Sequence, residues 1–127
     1  MKCLSLKQPF AELLVSGRKT IELRMWNTKY RGPFLVHASG NTDMEACKSL
    51  GMDPDALPRR VVVGKATIYD VKEYKSRDEF LADKGKHLAT DEYSGSRYGF
   101  LIRDAVKFDK PIPMPGKLGL FEVNLKI

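Results

Sequence analysis

The sequence predicts a β-rich α+β fold: a small β-barrel of five or six strands, with two or three short helices plugging its ends. Three observations lead there. The chain has 127 residues, enough for one domain that buries about two-thirds of the surface exposed when unfolded. Six short runs read as strands, and two of them, over 20–25 and 118–127, alternate apolar with polar residues, the pattern of half-buried strands. Helical spacing is confined to two or three short stretches, whereas a doubly wound parallel sheet needs a helix between most of its strands.

The elements follow in order. Residues 2–6 read as a strand. Pro9 suits the first position of a helix over 9–16, where Phe10, Leu13 and Leu14 recur at helical spacing and Gly17 ends the run. Residues 20–25 alternate, with Ile21, Leu23 and Met25 on one face and Thr20, Glu22 and Arg24 on the other. After Gly32-Pro33, residues 34–38 form the next strand. Thr42 and Glu45 have the spacing of a capping box, so a second helix starts there and stops near Gly51. Asp53-Pro54-Asp55 and Pro58 mark a connector. Residues 60–71 make a long strand in which Gly64 signals a bulge or a close backbone approach. Ser76 and Glu79 repeat the capping spacing before a short helix, and residues 84–97 read as a mobile loop. Strands over 98–108 and 118–127 complete the barrel, separated by a stiff turn over 111–116.

Composition narrows the function classes. No apolar run approaches the ~18 residues of a spanning helix, and Lys7 and Pro9 interrupt the N-terminal stretch before a signal-peptide core can form. Cys3 and Cys47 show neither a zinc-ligand nor a disulfide spacing, so no metal or other cofactor is expected, and the cytoplasm is the expected compartment. There is no nucleophile elbow and no phosphate-binding glycine loop. The chain carries 22 Lys and Arg against 16 Asp and Glu, a net +6. Residues 1–40 hold seven basic and two acidic groups, residues 41–58 one and four, and residues 59–127 fourteen and ten. Two basic parts thus flank an acidic insert, which suggests a polyanionic partner. A solvated, lysine-rich surface has the same composition. On the polyanion reading, the acidic residues within 43–55 belong away from the binding site.

The densest polar cluster is residues 17–24. Glu22 and Arg24 share one face of a strand, and Lys19 stands at its entry. A carboxylate between two cations orients both, so three side chains can converge on a ligand; a plain Glu22–Arg24 ion pair is the rival account. Trp26 and Arg31 pair an aromatic with a cation, the makings of a base-stacking platform with a phosphate clamp. His37 and Ser39 end the third strand and are candidates for reading a base edge. Gln8 precedes the first helix, whose N-terminal amides favour an anion. Arg59, Arg60, Lys65, Arg97, Arg103 and Lys107 are candidate phosphate contacts.

Residues 17–24 resemble the Gly-x-Lys-x-x-Glu-x-Arg signature of the ASCH domain family. The Leu4-Ser5-Leu6-Lys7-Gln8-Pro9-Phe10-Ala11 opening is similar to that of the family's coactivator-type branch, as are Trp26, Tyr30-Arg31-Gly32-Pro33 and Val36-His37-Ala38-Ser39. The resemblance implies a PUA-like barrel with helices around a cleft and an RNA- or nucleic-acid-related role. It carries Lys19, Glu22 and Arg24 over as ligand contacts in that cleft. One branch of the family hydrolyses N4-acetylcytidine with a Lys and a Thr from this stretch and a Glu from elsewhere. Lys19 matches that Lys, whereas Glu22 stands at the Thr position, a departure that argues against the same chemistry.

Three functions compete on this reading. The first is a non-enzymatic RNA-binding module with Gln8, Lys19, Glu22, Arg24, Trp26, Arg31, His37 and Ser39 around the ligand. The second is a hydrolase of a modified nucleoside or of RNA, with Lys19 as base or nucleophile and Glu22 orienting it. The third is a DNA-binding module of a transcription complex.

Overall fold

The computed structural model describes residues 1–90, 92, 93, 95 and 97–125. Six strands form one sheet in the order β2-β5-β4-β3-β1-β6: β1 Lys2–Gln8, β2 Ile21–Arg24, β3 Gly32–Thr42, β4 Val61–Tyr74, β5 Arg97–Pro113 and β6 Leu120–Glu122. Only β1 and β3 run parallel, from Cys3 opposite Leu35 to Gln8 opposite Thr42; every other pairing is antiparallel. Among the described residues, four short α-helices join them: α1 Phe10–Val15, α2 Met44–Leu50, α3 Arg77–Ala82 and α4 Lys84–His87. The expected barrel-like architecture stands, with one more helix than expected and a sheet that is not closed.

The central strands β1 and β3 are apolar on both faces, and successive residues serve different cores. Leu4, Leu6, Phe34 and Val36 join Leu14, Ile68 and Phe100 in the main cluster beneath α1. Cys3 and Leu35 turn the other way, onto Val62 and Phe121, under a cover of Phe108, Ile112 and Met114. A third cluster, Tyr74 with Phe80 and Ala89, lies beneath α3.

Gly64 fulfils its expectation. The β4–β5 register shifts beside it, and a Cβ there would sit 2.1 Å from the Val106 carbonyl oxygen. Ser76 caps α3, accepting from the Glu79 amide at 3.1 Å. Thr42 does not cap α2. It closes β3 opposite Gln8, and the cap is Asp43, whose Oδ1 accepts from the Ala46 amide at 3.0 Å. The strand over 98–108 runs on to Pro113, because β2 covers β5 only over residues 98–101 and the farther edge can spare the missing proline N–H groups. The last strand shortens to Leu120–Glu122, and positions 126 and 127 lie outside the described residues. The expected loop over 84–97 carries α4, with positions 91, 94 and 96 also outside the description.

Candidate functional site

The site lies where the sheet fails to close. Strand β6 pairs with β1 only over Lys2, Cys3 and Leu4, so the edge of β1 beyond Leu4 is left without a ladder on that side. Strand β2, the other terminal strand, pairs only with β5. Between them is a cleft of about 650 Å³. Ser5, Leu6 and Lys7 form one lip, and the stretch from Glu22 to Trp26 forms the other. Phe10 and Lys19 line its depth, Ser39, Asn41 and Asp43 one wall, and Lys117, Leu118 and Gly119 a strap along the rim.

Local sequence explains how the charged residues arrive there. Gly17, at φ +85°, turns the chain out of α1, and the Lys19 amide then bonds back to the Leu13 carbonyl at 2.9 Å. That directs the chain into β2, with Glu22 opposite Phe100 and Arg24 opposite Tyr98. Glu22 Oε2 accepts from Arg24 Nε at 2.9 Å and lies 2.8 Å from Nη2, while its Oε1 is 3.4 Å from Lys19 Nζ. Arg24 Nη2 also donates to the Ser5 carbonyl at 2.8 Å. One guanidinium thus bridges β2 to β1 across the gap that no backbone ladder spans. Lys19 is 3% exposed, donates to the His87 carbonyl at 2.6 Å and faces the Phe10 ring at 5.2 Å. Loss of water pushes its amine below the usual lysine range, and the adjacent Glu22 only partly offsets this.

Lys19, Glu22, Arg24, Trp26 and Ser39 therefore meet in the cleft as the sequence suggested. Trp26 packs edge-on against Phe100, with ring centres 5.3 Å apart, and still borders the cavity. Three expected contacts do not meet there. Gln8 is fully buried; its Nε2 donates to the Pro58 carbonyl and its Oε1 accepts from the Glu12 amide, so it fastens the start of α1. His37, on β3, is buried with Ser5 Oγ 2.8 Å from Nδ1, and its Nε2 donates to the Met114 carbonyl at 2.7 Å, which ties the residue after β5 to β3 and β1. Arg31 donates to the carbonyls of Thr28 and Tyr30 and stands 3.6 Å from Asp70, outside the cleft. Met25, expected on one strand face with Ile21 and Leu23, is 59% exposed on the rim, because the strand ends at Arg24.

Sequence reasoning also missed residues that line the site. Lys7 and Phe10 lay within a recognised motif without a role, while Asn41 and Lys117 carried no local signal. Asp43 was expected to point away from the cleft, yet it borders it while capping α2; Asp53 and Asp55 are not among the lining residues. The cleft remains positive, with Lys7, Lys19, Arg24, Arg97 and Lys117 against Glu22 and Asp43.

The model of the ASCH domain matches residues 4–111. The chain belongs to the ASCH domain family. The activating signal cointegrator 1 proteins of Mus musculus and Homo sapiens are 27% and 26% identical to it over 137 aligned positions, in each case 98% of this chain. The alignment takes in 22% of each of those proteins, so the chain spans about a fifth of their length. Among solved structures, ASCH from Zymomonas mobilis superposes with a TM-score of 0.66 at 19% identity, covering 88% of this chain and 72% of that one. A single-substitution variant of that protein gives the same score over 89% and 73%. These likenesses establish the PUA-like ASCH fold. The strap at 117–119, with its Lys117, lies beyond the matched ASCH region.

Proposed function

We propose that this ASCH domain binds single-stranded RNA in the cytoplasm, taking one unpaired nucleotide into the cleft between β1 and β2. The observation that carries the reading is a stacking surface joined to a positive cavity of nucleotide size, Trp26 and Phe10 beside Lys7, Lys19, Arg24 and Lys117. Bases stack on aromatic faces whatever their sequence, and phosphates follow the cations. The hydroxyl of Ser39 and the amide of Asn41 on the wall suit a ribose 2′-hydroxyl, the group that separates RNA from DNA. The ASCH family's association with nucleic-acid-related roles supports the same reading. The two free cysteines, both buried, accord with a reducing compartment.

Trp26 is the chain's one tryptophan, so its fluorescence reports on the cleft. A twelve-nucleotide oligouridylate is expected to quench it to saturation, and the deoxy oligomer to bind more weakly. Trp26→Ala, followed by anisotropy of labelled RNA, should lose on the order of 1–3 kcal/mol. RNA that leaves both signals unchanged would overturn the reading.

A hydrolytic reading is favoured by one observation, the burial of Lys19, which lowers the pKa of its amine. Against it, that amine is committed to the His87 carbonyl and flanked by Glu22. Incubation with N4-acetylcytidine, with product sought by chromatography, separates the two; release of cytidine would favour the enzyme.

A further inference from the structure

The stretch that carries Lys19 into the cleft borders a second cavity one residue later. Thr20 and Ile21 line a concavity of about 480 Å³, together with Tyr69 and Lys72 of β4, Arg103 of β5, Asp83 just ahead of α4 and Lys86 within it. Nothing in the cleft's chemistry depends on it. Tyr69 is 46% exposed, the one aromatic among the large exposed apolar side chains of the described residues. The Arg103 guanidinium lies 5.3 Å from its ring centre and is itself 63% exposed, with Asp104 3.6 Å away. Lys72 and the Tyr74 hydroxyl occupy Asp83 Oδ2 at 2.7 and 2.6 Å, while Lys86 stands 3.9 Å from the other oxygen and is 65% exposed. Lys72 and Lys86 thus share the already engaged Asp83, Arg103 lies against the exposed Asp104, and an exposed aromatic–guanidinium pair lines the same cavity. A lysine-rich surface that served solubility alone would have no use for a concave wall or for an aromatic placed in water. Cations beside a stacking face are the composition that holds a single-stranded polynucleotide.

We propose that this cavity is a second nucleotide subsite, in which an RNA strand leaving the cleft lays its phosphates on Lys86 and Arg103 and a base against the Tyr69–Arg103 pair. The proposal rests on the RNA reading of the cleft and extends the site around the start of β2. Because Lys19 and Thr20 are adjacent, a dodecamer seated in the cleft has chain to spare for the second cavity, whereas a trinucleotide has at most two nucleotides beyond the one in the cleft.

The test compares tri- and dodecauridylate on the wild type and on the double variant Lys86→Ala, Arg103→Ala. Both side chains are exposed, and the Lys86 carbonyl that receives the Thr20 amide is untouched, so the fold is preserved. For the dodecamer, the slope of log affinity against log salt should become shallower by about 1.4, or 0.7 for each of two phosphates. Trinucleotide affinity should change less, and saturating Trp26 quenching should not change. Tyr69→Ala should weaken the dodecamer more than the trinucleotide. An unchanged slope in the double variant, or an equal loss for both oligomers, overturns the second subsite. Failure of either oligomer to quench wild-type Trp26 would instead strike at the cleft, whatever the slope.

Discussion

At Lys19 two effects oppose each other. Loss of water lowers the pKa of the amine, the Glu22 carboxylate 3.4 Å away raises it, and burial wins. The folded chain therefore releases this proton at a lower pH than the unfolded chain, whose lysine keeps the ordinary value of 10.5. Between the two values the unfolded state holds more protons, so the contribution of Lys19 to stability rises with pH across that window. Burial pushes the Cys3 thiol up to about 12 and raises the Tyr74 hydroxyl as well, and both act in the opposite sense at high pH. The difference between wild type and Lys19→Met isolates the lysine. Chemical unfolding from neutral pH to about pH 10 should show the wild type gaining on the variant. A pH-independent difference would contradict the burial argument.

Among the elements, α2 shows how two adjacent cap candidates divide the work. Thr42 and Asp43 both precede the helical run, and spacing alone favoured Thr42 because Glu45 lies three residues on. In the fold, the Asp43 amide bonds to the Gln8 carbonyl at 2.7 Å, which holds Thr42 in β3 and leaves its hydroxyl buried without a hydrogen-bond partner. Asp43→Ala should therefore cost about 1 kcal/mol in unfolding free energy. Thr42→Val should cost nothing, since it removes an unsatisfied polar atom and keeps the shape. Equal losses would return the cap to Thr42. The strand pattern and the role of Gly64 were legible because alternation and a missing Cβ act locally. The extension of β5 to Pro113 was not, because a proline there is tolerated only on account of which strand lies beside it.

For the molecule as a whole, Arg24 does across the seam what a ladder would do in a closed barrel. Its guanidinium reaches the Glu22 carboxylate on its own strand and the Ser5 carbonyl on β1 together. A lysine ammonium is a single compact point and cannot hold that fork. Arg24→Lys should lower stability by roughly 1.5–3 kcal/mol, the range for a hydrogen bond to a charged group. Urea unfolding followed by Trp26 emission checks this, and an unchanged midpoint would show that the seam needs no bridge.

By itself the sequence determined the strands, the turn at Gly17 and the Lys19–Glu22–Arg24 octet. These rest on periodicity and spacing over a few residues, which the backbone converts directly into a shared face. Only the tertiary structure decided what surrounds the octet. Gln8 and His37 looked like ligands as polar groups beside a motif, but Pro58 and Met114, 50 and 77 residues away, consume their hydrogen-bonding groups. Lys117 and Asp43 reach the cleft because of how β6 and α2 follow the sheet. The cleft exists because β6 pairs with three residues of β1 and stops, leaving the rest of that edge open. Burial and partnership are properties of distant contacts, and no local pattern of residues encodes them.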